Sequence, residues 1–200
     1  MYEIKKYKRL TDNIFLMDVY APRVAKKCLA GQFIILRVDE KGERIPLTVC
    51  DFDREKSTVT IVVQEVGAST YKLGELREGD FIADFVGPLG NASELTDMTD
   101  EELKNKKIVF VAGGVGTAPV YPQVKYLSER GVKADVIVGA KNKDLLILQT
   151  ELDKVAANVY VTTDDGSAGD KGLVTDKLKK LVESGKKYDH CVAIGPVIMM

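Results

Sequence analysis

The chain has 200 residues, enough for one large domain or two small ones. Its 29 Lys and Arg against 30 Asp and Glu leave a net charge of −1, which argues against a protein built mainly to bind nucleic acid or an anionic membrane. No apolar run approaches the roughly 20 residues that span a bilayer, and the N-terminus lacks the order of a signal peptide, so a cytoplasmic protein is expected.

Residues 1–95 are predicted to form one domain of short strands separated by turns. Apolar and β-branched runs predict strands at 13–20, 32–38, 57–64 and 80–86, and a short helix is expected at 68–76. Turn signals lie between them at intervals of about ten to twenty residues, which indicates a small antiparallel barrel or sandwich.

The second half of the chain has a different pattern of predicted elements. Residues 96–106 are highly charged and are predicted to be an exposed linker. Beyond them we predict strands at 108–112, 134–139, 158–162 and 189–194, alternating with helices at 118–130, 145–156 and 173–183. This alternation predicts a doubly wound α/β domain over residues 107–200.

Cysteine and histidine usage narrows the possible chemistry. Cys28, Cys50 and Cys191 form no CxxC pair, so neither a disulfide framework nor a metal site is predicted within these residues. His190 is the single histidine, and Cys191 beside it is expected to be a small buried residue of a strand. A bound cofactor is therefore the natural source of chemistry.

The sharpest motif is Val111–Pro119, which lies where the first predicted parallel strand leads into a helix. Glycines let the backbone approach a phosphate closely, and the helix N-terminus supplies positive potential. The spacing from Gly114 begins as G-x-G, but Pro119 occupies the place of the third glycine, so this is not the standard dinucleotide fingerprint. The alternative is a tight turn without ligand, although such a turn would not require three glycines. We predict phosphate or pyrophosphate binding.

The second predicted parallel strand bears on the choice of nucleotide. A usual NAD site places an acidic residue at the far end of this strand, whereas Asp135 stands at its start. Lys141 follows the far end, and a lysine there suits a 2′-phosphate, which favours NADP. The alternative is a solvated lysine turn.

Two segments of the first half are unusual for plain turns. Pro46 stands inside the apolar run 44–49, which an uninterrupted central strand would not tolerate. Gly67, Ser69 and Thr70 precede the predicted short helix and form a second candidate phosphate cradle.

The order of these motifs resembles the ferredoxin–NADP reductase superfamily, and most nearly its electron-transfer flavoprotein branch. That branch includes the electron-transfer subunit of dihydroorotate dehydrogenase and the FAD subunit of NADH-dependent ferredoxin–NADP oxidoreductase, also described as sulfide dehydrogenase. The resemblance covers essentially the whole chain and is carried by Val111–Pro119, by 163–167 with 171–176, and by 195–200. It implies a Greek-key-like antiparallel FAD-binding β-barrel, followed by an NAD(P)-binding α/β domain with a doubly wound parallel sheet that is incomplete at its C-terminus.

The resemblance also implies the residues of the flavin site. Those expected to contact FAD are Ile45, Pro46, Leu47, Thr48, Val62, Val63, Gln64, Gly67, Ser69 and Thr70. Thr48 is expected to hydrogen-bond near the reactive flavin N5, which makes it the one residue with a catalytic role, with Pro46 and Leu47 beside the ring. Ile45 stands where the broader family has an arginine for the FAD phosphates. Arg44 is one residue early and would point to the opposite face of a strand.

The expected nucleotide site lies in the second half. The residues expected to contact NAD(P) are Gly113, Gly114, Gly116, Thr117, Lys141, Asp164, Asp165, Gly166, Gly195 and Pro196. The alternative for the segment 164–167 is an Asx turn without ligand.

The function implied is electron transfer between NAD(P)H and a partner with iron–sulfur or flavin centres. The nicotinamide C4 hydride passes to flavin N5, which requires no side-chain nucleophile. The partner is expected to be a larger glutamate-synthase-like subunit or dihydroorotate dehydrogenase, with ferredoxin as a further candidate. A redox-inactive nucleotide-binding regulatory or assembly module is a third hypothesis, because of Ile45. A [2Fe–2S] cluster is expected only beyond residue 200, so the chain is expected to be truncated at its C-terminus.

Overall fold

The computed structural model describes residues 1–197 and 199; Ile198 and Met200, which end the last of the motifs above, lie outside the described residues. The chain divides into two compact units between Ser93 and Glu94. None of the described helices is long and apolar enough to cross a membrane.

The first unit is a nearly closed antiparallel barrel of seven strands. The strands are β1 (Tyr2–Thr11), β2 (Ile14–Tyr20), β3 (Phe33–Arg37), β4 (Ile45–Asp53), β5 (Thr58–Gln64), β6 (Phe81–Ile82) and β7 (Asp84–Leu89), with helices α1 (Pro22–Lys27) and α2 (Ala68–Glu75). Their order in the sheet is β6-β1-β2-β5-β4-β3-β7. β3, β4 and β5 are neighbours in chain order, and β2 lies beside β5, so these four strands form a Greek key. The predicted antiparallel barrel is thereby confirmed.

Alternation of side chains explains why these segments form a barrel wall. Phe15, Met17 and Val19 of β2 are fully buried, whereas the residues between them face outward. β1 was not predicted, because only Ile4 and Thr11 of its ten residues are buried and lysines fill much of the rest. Its pairing with β2 along nearly its whole length holds it in place, and that pairing is a tertiary contact.

β4 corrects the prediction that Pro46 interrupts a strand. The strand runs without a break from Ile45 to Asp53, but its two halves have different partners. The first half pairs only with β3, where Pro46 stands opposite Ile35, and the second half pairs with β5. Pro46 therefore occupies an edge-like position, where a missing N–H is tolerated.

The second unit is a five-stranded parallel sheet with helices on both faces. Its strands are β8 (Ile108–Gly113), β9 (Asp135–Ala140), β10 (Asn158–Thr163), β11 (Asp170–Lys171) and β12 (His190–Ile194), and its helices are α3 (Asp100–Lys104), α4 (Thr117–Ser128), α5 (Gln149–Val155) and α6 (Val174–Glu183). The order is β11-β10-β9-β8-β12, and all four pairings are parallel. This confirms the predicted doubly wound domain.

Both faces of this sheet are covered, as the wholly apolar β8 predicts. Phe110 packs with residues of α4 and α5 on one face, and Val111 packs with Val174 and Leu181 of α6 on the other. Within the segment predicted as a linker, α3 is capped by Thr99, and its Leu103 is fully buried in the core of this unit.

The second predicted helix, 145–156, is shorter in the structure. A 3-10 turn covers Lys143–Leu145, and α5 begins only at Gln149. Leu148 lies between them in the left-handed region, with φ of 58°, which breaks the helix.

Candidate functional site

The order of the parallel strands reverses beside β8. The chain moves from β8 to β9, β10 and β11 on one side and then returns to β12 on the other. In open α/β sheets, ligands bind outside the carboxyl ends of the strands at such a switch point. The loop Gly113–Gly116 follows β8 and Gly195 follows β12, so both lie at this point.

Close packing of these two loops explains why glycine stands at three of their positions. A Cβ atom at Gly116 would overlap the carbonyl oxygen of Ile194, and one at Gly195 would lie 3.2 Å from Cα of Gly113. A Cβ at Gly113 would lie 3.0 Å from Cδ of Pro196. Tight packing therefore accounts for Gly113, Gly116 and Gly195 without a ligand, which the sequence could not show.

Gly114 is different, because its backbone borders open space. Its φ of +54° lies in the left-handed region, and a Cβ there would meet nothing within 4 Å. Thr117 is fully buried and donates a hydrogen bond of 2.9 Å to the carbonyl oxygen of Gly114, so its side chain holds the loop. The twelve-residue α4 begins at Thr117, and its positive end lies beside this open glycine. This is a cradle into which a phosphate fits.

The loops after β9 and β10 are tied together at the same edge of the sheet. The amide of Asp165 donates to the carbonyl oxygen of Lys141 at 3.3 Å, and the amide of Asp164 donates to Ala140 at 3.1 Å. Asp165 forms an Asx turn, in which its Oδ1 accepts from the hydroxyl and the amide of Ser167. These two bonds lower the pKa of Asp165. The side chains of Lys141 and Asp164 are exposed.

Gly166 and Asp135, two more residues that bear on the nucleotide site, lie at opposite edges of the sheet. Gly166 has a φ of +79° and lets the Asx turn form. Asp135 opens β9 and therefore lies at the amino edge of the sheet, away from the glycine loops. It is buried and bonded to Lys186 and Tyr188, so it belongs to a different part of the unit.

In the first unit, β3, β4 and β7 present a mostly apolar outer face. Phe33 stands opposite Thr48, and Ile35 stands opposite both Pro46 and Val86. Thr48 is exposed, and its hydroxyl has no partner among the described residues. An apolar face with one free hydroxyl has the chemistry that suits a flavin ring. Sequence reasoning missed Phe33, Ile35 and Val86, although the alternation within 32–38 carried the signal.

Ile45 and Leu47 point the other way. Both are half-buried and pack against the barrel core, so they do not share the outer face with Pro46 and Thr48. Pro46 and Leu47 were both expected beside the flavin ring, but they lie on opposite faces of β4, because successive side chains of a strand alternate. The inward position lets the apolar side chain of Ile45 pack against the core.

Arg44 directly precedes β4 and is engaged elsewhere. Its Nη2 lies 2.9 Å from Oδ2 of Asp84 in β7, and Arg37 lies 3.4 Å from the same oxygen. All three side chains belong to the barrel unit, and Arg44 is exposed.

The end of β5 leads into the second candidate cradle. Val62 and Val63 are buried, and Gln64 is half-buried. Gly67 caps the eight-residue α2 with an extended backbone, and a Cβ there would meet nothing within 4 Å. Thr70 Oγ1 accepts hydrogen bonds from the amides of Val66 and Gly67, so it holds the loop.

Two backbone donors remain at this helix end. The N–H groups of Ala68 and Ser69 find no acceptor in the part of the chain that the structure describes, as is usual for the first turn of a helix. The Ser69 hydroxyl donates to Oε2 of Glu43 at 3.2 Å. Free donors at the positive end of a helix fit a pyrophosphate oxygen.

The cysteines take no part in either cradle. Cys28 and Cys50 are buried, and burial raises the pKa of the Cys28 thiol to about 11. Cys191 was expected to be buried, but it is exposed because β12 is an edge strand of the sheet. Within residues 1–197 and 199, no three metal-ligating side chains come together.

Comparison with known proteins places the chain in a family. Residues 110–200 match the oxidoreductase NAD-binding domain. The chain is 43% identical over 198 residues to the dihydroorotate dehydrogenase B (NAD(+)) electron transfer subunit homolog of Thermotoga maritima, a match that covers 99% of this chain and 67% of that protein. The chain belongs to this electron transfer subunit family. The resemblance to the electron-transfer flavoprotein branch of the ferredoxin–NADP reductase superfamily is thereby confirmed.

One further relative and one solved structure are similar to the whole chain. A Clostridium beijerinckii protein described as an uncharacterized protein in the adh 3′ region is 61% identical over 201 residues, which covers 100% of this chain and 68% of that one. A structure of NADH-dependent reduced ferredoxin–NADP oxidoreductase superposes with a TM-score of 0.89 at 41% identity and covers 100% of this chain and 69% of that one. Family membership confirms an oxidoreductase that uses FAD and NAD(P)H.

Proposed function

We propose that the chain transfers electrons between NAD(P)H and a partner subunit that carries iron–sulfur or flavin centres, in the manner of a ferredoxin–NADP oxidoreductase, and that it works in the cytoplasm. The observation that carries the proposal is that each unit has its own open phosphate cradle. Gly114 lies in one cradle and Gly67 in the other, and both have open space where a side chain would stand. Two dinucleotides need two such places.

On the barrel unit, we assign FAD to the outer face of β3, β4 and β7 and to the N-terminus of α2. The amides of Ala68 and Ser69 would donate to the pyrophosphate, and Thr48 would donate or accept a hydrogen bond at flavin N5. Bound FAD supplies hydride acceptance from nicotinamide C4 and onward release of electrons. The apolar Phe33 and Ile35 would exclude water from the ring.

On the α/β unit, we assign the nucleotide to the cradle at Gly114. The positive end of α4 would hold the pyrophosphate, while the packed Gly113 and Gly116 keep the loop rigid. Lys141 is exposed after β9 and would donate hydrogen bonds to a 2′-phosphate, which favours NADPH over NADH. Asp164 and Gly166 would border the nucleotide from the loop after β10.

The test is spectroscopic. The purified protein, reconstituted with FAD if necessary, should show flavin absorbance that NADH or NADPH bleaches under anaerobic conditions. Faster bleaching by NADPH would support the assignment of Lys141. A colourless protein that cannot take up FAD would overturn the proposal.

A second candidate is the electron-transfer subunit of dihydroorotate dehydrogenase itself. It is favoured by relatives such as the Fusobacterium nucleatum subunit of that name, which is 34% identical over 192 residues and of which the chain covers 72%. The partner discriminates between the two: a glutamate-synthase-like subunit that copurifies supports the first candidate, and a dihydroorotate dehydrogenase supports the second. The redox-inactive module rested on Ile45, and membership of the electron transfer subunit family favours the two electron-transfer candidates over it.

A further inference from the structure

The amino edge of the parallel sheet carries an open cavity of about 420 Å³. It is formed where three separate connections lead into β8, β9 and β12. Five lysines line it: Lys106, Lys107, Lys133, Lys186 and Lys187. Its volume lies within the roughly 300–1,000 Å³ of small-molecule sites.

Among the described residues, one of the five lysines forms an ion pair, and Glu102 acts on Lys106 only at longer range. Nζ of Lys186 lies 2.6 Å from Oδ2 of Asp135, the one carboxylate that lines the cavity. The other four lysines form no ion pair within residues 1–197 and 199. Nearby, Oδ2 of Asp189 accepts from the amide of Lys107 at 2.8 Å. Like charges held around one concavity repel each other, and an anion placed among them would relieve that repulsion.

A hydrogen-bonded network makes the floor of the cavity rigid. Asp135 is buried and accepts from Asn158 at 2.7 Å and from Tyr188 at 2.7 Å, besides Lys186. Lys186 also donates to the hydroxyl of Tyr160 at 2.7 Å. The residues on which the lysine-bearing loops rest therefore have defined positions before any ligand arrives.

Helix dipoles do not account for the cluster. Lysines stabilise the negative end of a helix, but the effect falls off within the last turn. Lys106 lies two residues beyond α3, whereas Lys133 lies five residues beyond α4 and Lys187 four beyond α6. Lys133 and Lys187 are also fully available, because both are exposed.

We propose that this cavity binds a small, multiply charged phosphate-bearing anion, such as a nucleoside di- or triphosphate or a free polyphosphate. Lysine ammonium groups bind phosphate as point charges, and here five lysines from three connections line one cavity. A concave site of this volume suits a compact anion. An acidic protein would instead need a broad surface of about 800 Å².

The proposed site is separate from the nucleotide cradle. β8 runs six residues from Ile108 at the cavity to Gly113 at the glycine loop, and its five steps separate the two ends by roughly 16 Å. The inference therefore does not rest on the proposed function. Loss of anion binding at the lysines should leave the bleaching of FAD by NAD(P)H unchanged.

The experiment is calorimetric titration of the FAD-loaded protein with pyrophosphate at fixed ionic strength. The test variant combines Lys133→Gln and Lys187→Gln, which remove charge from exposed side chains. The matched control combines Lys154→Gln and Lys179→Gln, exposed lysines of α5 and α6 outside the cavity. We expect binding to weaken by at least about tenfold in the test variant and by less than about twofold in the control. Equal affinity in both variants, or no saturable binding to the wild-type protein, would overturn the proposal.

Two further measurements locate the bound anion and its class. In the ¹⁵N-labelled protein, pyrophosphate should shift the amide resonances of Ile108 and Tyr188. If Gly114→Asp abolishes the binding and the lysine variant does not, the anion occupies the nucleotide cradle and the proposal is wrong. Tighter binding of a polyglutamate peptide than of pyrophosphate would show an acidic partner instead, which also contradicts it.

Discussion

Replacement of Gly114 by aspartate is the sharpest test of the nucleotide cradle. The new side chain has room, because a Cβ at this position meets nothing within 4 Å. The φ of +54° is strained for most residues, but aspartate and asparagine tolerate it. Gly114→Asn is therefore the matched control, since it adds the same bulk and the same backbone strain without charge.

The expected effect is electrostatic. A carboxylate at Gly114 would lie about 5 Å from a pyrophosphate with about two negative charges, and at an effective dielectric constant between about 40 and 80 the repulsion is about 2–3 kcal/mol. This corresponds to a rise of roughly 30- to 150-fold in the KM for NAD(P)H. The asparagine variant carries only the steric and backbone cost that both variants share.

The assay is stopped-flow reduction of the protein-bound FAD over a range of NADH and NADPH concentrations. Flavin absorbance before mixing reports FAD content, which both variants should retain, because the flavin is assigned to the other unit. Raising the salt concentration should narrow the difference between Asp and Asn, since salt screens exposed charges. Identical KM values for the Asp and Asn variants would refute the cradle, and loss of FAD from both would refute the assignment of the two dinucleotides to separate units.

Three further changes test other parts of the molecule. Thr48→Val should slow reduction of bound FAD by about tenfold, the worth of one hydrogen bond, as measured by stopped flow. Gly116→Ala should lower the free energy of unfolding in urea by about 1–3 kcal/mol, because its Cβ overlaps the Ile194 carbonyl oxygen. Asp135→Asn should lower the free energy of unfolding by about 1–2 kcal/mol at pH 7, because the charge-assisted hydrogen bond from Lys186 is lost. Burial raises the pKa of Asp135, but the hydrogen bonds from Lys186, Asn158 and Tyr188 outweigh it and lower the pKa below its usual value. The stability difference between wild type and Asp135→Asn should therefore hold above pH 5 and shrink below pH 4.

Controls separate these effects from general damage. Thr48→Ser keeps a hydroxyl and should reduce at nearly the wild-type rate; a valine variant as fast as wild type would contradict the role of Thr48. Gly67→Ala introduces a Cβ into open space and should change stability by less than about 0.5 kcal/mol. A Gly116→Ala variant as stable as Gly67→Ala would contradict the close loop packing. For Asp135, a difference that stays constant down to pH 2 would contradict the lowered pKa.

Local sequence patterns predict strands and helices wherever burial determines the residue types. β8 is apolar throughout because both sides of the parallel sheet are covered, and it was predicted within one residue. β1 was missed because its stability comes from pairing with β2 rather than from its own lysine-rich residues. The helix predicted from residue 145 starts late, since Leu148 takes a left-handed conformation that no periodicity reveals.

The candidate site divides in the same way. The sequence predicts phosphate binding at the glycine loop and at Gly67 because a phosphate needs particular residue types at a helix N-terminus, which is a local requirement. The sequence could not tell that Gly113 and Gly116 are packed while Gly114 is open, because the answer lies in a loop some 80 residues further along the chain.

By itself, the sequence determined two domains of different class, their order and the redox family, and it predicted two phosphate-binding segments, because each of these depends on residues that are neighbours in the chain. Only the tertiary structure decided which side chains share a face, as for Ile45 and Thr48, since a one-residue difference along a strand reverses the direction of a side chain. It alone also assembled the lysine cavity from three distant loops. The net charge of −1 is a sum over the whole chain, so it does not reveal a local concentration of positive charge.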